Sequence, residues 1–146
     1  WLAQQPFLDA SRLGVCGFCM GGGFALLVAA RAPIGAVAVF YGQVPKKADE
    51  LDGICPVVAV YGGRDRSLRG APERLRAALE QRAVPHDITV YRDAGHGYLS
   101  SHTAAFAKFG AGGPIKLGFN GSAAEDSWKR FERFFRRHLA GEEPVD

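Results

Sequence analysis

The chain has 146 residues, 47% of them apolar and 23% charged, with a formal net charge of +3. That is the size and composition of one globular domain with a real core, and it excludes a disordered chain. The small positive excess is scattered or sits on the polar face of the last helix, so no nucleic-acid partner is expected. Three cysteines, an odd number, do not make a disulfide framework and fit a reducing compartment, the cytoplasm.

In chain order, residues 1–6 read as the end of a helix and 8–11 as a turn. Residues 13–30 carry no charge, a run long enough to raise a membrane span. Gly14, Gly17, Gly21, Gly22 and Gly23 instead divide it into a buried strand over 12–18 and a helix over 21–31 that stops near Pro33. No membrane partner is expected. "IGAVAVFY" (34–41) and "PVVAVY" (56–61) are apolar runs typical of parallel strands covered on both faces. Pro72 in a first turn, with Leu75, Ala78 and Leu79 on one face, marks a helix ending near Arg82. "HDITVY" (86–91) is a shorter, more polar strand, placed nearer a sheet edge. Residues 111–121 form a Gly-rich loop, and Ser122 with Glu125 makes the S-x-x-E capping box that opens a last helix. In that helix Trp128, Phe131, Phe135 and Leu139 recur at helical spacing as core residues. Alternating strands and helices predict a single α/β domain over 1–146 with a parallel sheet of about four strands flanked by helices.

Ligands of such sheets bind beyond the carboxyl ends of the strands, where Cys19, Asp65 and His96 all fall. Cys19 belongs to "GVCGFCMGGG" (14–23), whose two cysteines allow three readings. A redox pair needs its first thiol at a helix N-terminus, and Cys16 is still inside the strand pattern, where it reads as a small buried hydrophobe. A zinc site needs a second ligand pair at compact spacing, and Cys55, His86, His96, His102 and His138 provide none. The third reading takes Gly17, Cys19 and Gly21 as G-x-C-x-G, the cysteine form of a nucleophile elbow. Side chains at the two glycine positions would collide with the neighbouring strand and helix. The turn lifts the sulfur above the sheet and leaves the Met20 N–H at a helix N-terminus, ready for an oxyanion. Chain order, nucleophile then acid then histidine, fits Cys19, Asp65 and His96. Asp65 is alternatively a turn residue after Gly62 and Gly63, Asp93 is the rival acid and His102 the rival histidine.

With "GFCMGGG", "YGGRD", "DAGHGY" and the closing "SAAEDSWKRFERFFRRHL", nearly the whole chain resembles the dienelactone hydrolase family of the α/β-hydrolase superfamily. The resemblance implies a carboxylic ester or lactone hydrolase with no metal or cofactor. Cys19 is then the nucleophile that forms a thioester, His96 its base, and Asp65 the group that orients the imidazole. Phe18, Tyr41 and Tyr98, at strand ends beside them, are candidate pocket walls. Members acting on dienelactone carry an arginine shortly after the histidine. Positions 99–101 here have none, which sets a neutral ester, lactone or thioester beside dienelactone as substrate. The resemblance also implies several strands ahead of the nucleophile strand, including the second oxyanion donor and an acidic residue that regulates the thiol. The expectation is therefore the C-terminal portion of an α/β-hydrolase domain, with a non-catalytic remnant as the alternative and the strand over 12–18 left as a sheet edge.

Overall fold

Four parallel strands in the order β1-β2-β3-β4 form the sheet of the computed structural model, which describes residues 1–101 and 116–142. They are β1 (Gly14–Phe18), β2 (Ala36–Phe40), β3 (Val57–Gly62) and β4 (His86–Tyr91). The apolar runs become the two central strands. Every residue of β2 and β3 is buried, as expected for strands with neighbours on both sides and layers on both faces. β4, the more polar strand, lies at one edge and is mostly half-buried. β1 forms the other edge, paired with β2 from Gly14↔Ala36 to Phe18↔Phe40. It starts later than the sequence suggests, because Arg12 ends a 3-10 turn (Ala10–Arg12) capped by Asp9 and donates from Nε to the Leu139 carbonyl at 2.7 Å. The first segment is a single 3-10 turn, Leu2–Gln4, with no buried residue.

The strands connect through helix α1 (Met20–Ala29), a 3-10 turn (Ala48–Leu51) and helix α2 (Ala71–Gln81). α1 packs on β1 and β2, and α2 on β4. Side chains alternate across a strand, so neighbouring residues of β1 meet different layers. Gly17 faces the first turn of α1, whereas Gly14 and Phe18 face helix α3 (Gly121–Phe135). A Cβ at Gly14 would sit 2.6 Å from the Phe135 ring, so glycine lets α3 lie close to the sheet. Of the residues read as core, Phe131, Phe135 and Leu139 pack partly buried against the core, but Trp128 stays 45% exposed, because it lies beside Phe18 on the edge strand: Phe18 stacks on Phe40 at 4.6 Å, and Trp128 lies 5.3 Å from Phe40 and 5.8 Å from Phe131.

Two local expectations change. Asn120, not Ser122, caps α3: its Oδ1 accepts from the Ala123 N–H at 3.1 Å and from the Ser122 hydroxyl at 3.0 Å. Ser122 is therefore inside the first turn, and Glu125 accepts from Lys129 at 2.6 Å instead of closing a capping box. Cys16, read as buried, is exposed, because it sits on an edge strand with solvent along its open flank. Of the Gly-rich loop expected over 111–121, residues 111–115 lie outside the described residues, as does His102. Among the described residues no helix is long and apolar enough to cross a membrane.

Candidate active site

The sheet register sets the site. Phe18, Phe40 and Val60 lie side by side, so the segments after β1, β2 and β3 leave from one sheet edge, joined by the one after β4. Cys19 follows β1 directly, with φ 53° and ψ −123°, a conformation that costs a non-glycine residue on the order of 1–3 kcal/mol. The sharp turn holds because its N–H donates to the Phe40 carbonyl at 3.0 Å while its own carbonyl accepts from the Gly22 N–H at 3.0 Å. Met20 opens α1, so its N–H has no acceptor within the helix and stands beside the thiol.

The glycines around Cys19 do different jobs. A Cβ on Gly17 would run into the backbone carbonyl of Gly21, so the close approach of β1 and α1 requires glycine there. Gly21, expected to be tight as well, has open space around it. The constraint falls one residue later: a Cβ on Gly22 would lie 2.9 Å from the Gly42 Cα, where the helix meets the segment after β2.

Asp65 leaves β3 through a loop and is 4% exposed. Its Oδ1 accepts from the Ser67 N–H at 3.0 Å and from the Ser67 hydroxyl at 2.5 Å, which caps the 3-10 turn Arg66–Leu68. Its Oδ2 lies 2.6 Å from His96 Nδ1. Turn residue and imidazole partner are thus one group using two oxygens. The rival acid does neither: Asp93 is an exposed ion pair with Arg64 at 2.7 Å. That pair, with backbone bonds from Gly63 to Tyr91 and from Arg64 to Ala94, ties the loop of Asp65 to the loop of His96. Gly62 permits the approach, since any Cβ there would collide with the Gly95 carbonyl.

His96 is held by its backbone as well as its ring. Its N–H donates to the Lys116 carbonyl at 3.0 Å, and the residue bridges to Leu117. Burial pulls the imidazole pKa down, but hydrogen bonds with Asp65 and with Cys19, and the charges of both, outweigh it, and the net pKa is raised. With Nδ1 on Asp65, the other ring nitrogen is left for the thiol. Cys55, His86 and His138 stand apart: burial pushes Cys55 up to about 11, His86 Nδ1 lies 2.8 Å from the Val84 carbonyl, and His138 lies 4.3 Å from the Phe134 ring.

The three candidate wall residues separate. Tyr41 has φ 45° and its ring lies 5.0 Å from that of His96. It lines a cavity of about 610 Å3 together with Cys19 and His96. Burial first, then the nearby Cys19, pushes its phenol up to about 12. Tyr98 is fully buried behind the His96 loop, its hydroxyl 2.7 Å from Ser127, which in turn donates to the Ala123 carbonyl. Phe18 packs on the α3 face and takes no part in the cavity lining. The cavity walls are chiefly apolar, from Phe24, Leu27, Val44 and Leu68, with Lys46 as a basic and Glu50 as an acidic lining residue. Sequence reading missed Ser67 and Ser127. D-x-S, an Asx-turn signal at 65–67, marks the first; nothing in the local sequence marks the second. Among the described residues no cluster of three or more His, Cys, Asp or Glu could hold a metal ion.

Residues 1–139 match the model of the dienelactone hydrolase family. Over 144 residues the chain is 34% identical to the carboxymethylenebutenolidase of Rhodococcus opacus, an alignment covering 90% of this chain and 52% of that protein. Among solved structures, m3DLH covers 94% of the chain and 57% of its own at 26% identity, with a TM-score of 0.75. A dienelactone hydrolase-like promiscuous phosphotriesterase from metagenomic libraries aligns over the same shares at 24% identity, with a TM-score of 0.78, a likeness of fold. The chain spans about half the length of the curated relatives it matches.

Proposed function

Because the chain belongs to the dienelactone hydrolase family of α/β-hydrolases, we propose that it hydrolyses carboxylic esters or lactones through Cys19, His96 and Asp65. The observation that carries this reading is the buried Asp65 carboxylate 2.6 Å from His96 Nδ1, with the thiol of Cys19 at the elbow and both Cys19 and His96 on the wall of one cavity.

The chemistry follows from that order. His96 takes the thiol proton as the Cys19 sulfur attacks the carbonyl carbon, while Asp65 fixes the tautomer and favours the imidazolium. The Met20 N–H stabilises the tetrahedral oxyanion. Collapse breaks the ester C–O bond, and the leaving alkoxide receives its proton from His96. Water, deprotonated by the same imidazole, then attacks the thioester, releases the acid and restores the thiol. The apolar walls beside the sulfur favour a neutral acyl group, and Lys46 is the cavity residue placed to take an anionic end.

The test is hydrolysis of a short p-nitrophenyl ester by this chain and by a form extended upstream of Trp1, each with and without Cys19→Ala. Activity that disappears with Cys19→Ala supports the cysteine hydrolase. Activity that persists in the Cys19→Ala form removes the nucleophile from the proposal, and its lack in every form favours the non-catalytic remnant.

A further inference from the structure

The turn Arg66–Leu68 stands between two cavities: Leu68 lines both, but Cys19 and His96 line only the one described above. The second, of about 350 Å3, is bordered by the end of β3, the turn and the start of α2. Tyr61, on its wall, is 1% exposed, and its hydroxyl is a buried side-chain polar atom with no hydrogen-bond partner among the described residues. Buried polar groups without a partner are rare in folded proteins and call for an explanation. Burial pushes this phenol far above its ordinary value against the pull of the nearby Arg74 charge, so it remains an O–H donor.

The N-terminus of α2 supplies donors of a second kind. Gly70 at the cap position has no side chain to accept a bond, and Pro72 has no N–H, which leaves the N–H groups of Ala71 and Glu73 without an acceptor in their helix. The helix dipole makes that end attractive to anions. Arg74 folds back over it, with Nη1 3.4 Å from where a Cβ of Gly70 would stand. Arg66 and Arg69 line the same cavity, and neither forms an ion pair among the described residues. The acids of the cavity are Glu73 and Asp65, and the Asp65 oxygens are already engaged by Ser67 and His96.

We infer that this cavity binds a phosphate group, through the Tyr61 hydroxyl, the α2 N-terminus and the guanidinium groups of Arg66 and Arg69, at a site separate from that of Cys19. Tyr61, the start of α2 and the arginines of the turn border it from different elements, and a set of hydroxyl, N–H and guanidinium donors suits a tetrahedral oxyanion with several acceptor oxygens better than a planar carboxylate with two. The group comes either as inorganic phosphate or on a small phosphomonoester.

The experiment is calorimetric titration of the chain with inorganic phosphate, glycerol 3-phosphate and acetate at one fixed ionic strength. Saturable binding of one phosphate per chain is expected, with acetate weaker. Tyr61→Phe, which deletes one oxygen and keeps the ring, weakens phosphate about 10-fold. The same variant leaves the midpoint of thermal unfolding without phosphate unchanged or higher, because the deleted hydroxyl has no partner there. Replacing Arg66 and Arg69 together by Gln, both at exposed positions, weakens phosphate at least as much. Tighter glycerol 3-phosphate than phosphate assigns a phosphomonoester, and the reverse assigns the free ion. Absence of saturable binding at millimolar phosphate overturns the inference, as does an affinity that Tyr61→Phe leaves unchanged.

Discussion

Asp65 shows how one side chain serves the local turn and the candidate chemistry together. With Oδ1 on Ser67 and Oδ2 on His96, its carboxylate is fixed at both ends. Asp65→Asn places an amide against the imidazole and favours the wrong tautomer, so ester hydrolysis by the proposed route drops roughly 10^4-fold, read as kcat. Ser67→Ala leaves the Ser67 N–H bond in place and removes the hydroxyl bond. It costs about 0.5–1.5 kcal/mol in urea unfolding, with a smaller loss of rate than Asp65→Asn. The raised pKa of His96 means that the folded chain holds this proton more tightly than the unfolded chain does. The resulting stability is complete below the ordinary histidine value of 6.5 and is lost as pH rises through the higher folded value. Cys19→Ala removes two of the raising influences, so in an NMR titration its His96 imidazole loses its proton at lower pH than in the unsubstituted chain.

At the scale of elements, the strand-turn-helix corner rests on two backbones in contact. Gly17→Ala drives a methyl group into the Gly21 carbonyl, which no rotamer relieves, and costs about 1–3 kcal/mol or more in urea unfolding. Gly21→Ala meets open space inside α1 and raises stability by up to about 1 kcal/mol, through helix propensity. The pair of measurements separates a glycine the packing requires from one that only completes the motif. Most elements were legible because their signals are local: unbroken apolar runs for β2 and β3, Pro72 at the start of α2, Ala and Leu content for α1. The cap of α3 was not, since Asn120 and Ser122 both offer an oxygen and only the path of the chain arriving from Lys116 chooses between them.

For the whole molecule, the governing fact is the position of β1. It has a partner on one side only, and Phe18, Met20, Phe24 and Val28 are exposed beside it on the chain and on α1. An edge strand with apolar neighbours is a template for pairing. The chain is therefore expected to self-associate with rising concentration in sedimentation velocity, and Cys16→Lys, which adds a charge to the edge at an exposed position, shifts it toward monomer. The same position explains why Cys16 is exposed: a strand pattern tells which residues alternate, not how many neighbours the strand has.

The sequence by itself determined the α/β class, the parallel order of strand and helix, and the three residues expected at the strand ends, because hydrophobic period and the glycine spacing of a tight turn are properties of a few consecutive residues. Tertiary structure decided which carboxylate faces His96, which of Phe18, Tyr41 and Tyr98 reaches the cavity, and which glycine beside Cys19 is tight. Each of these depends on the distance between segments far apart in the chain, fixed here by strand register and by the layer onto which each side chain points.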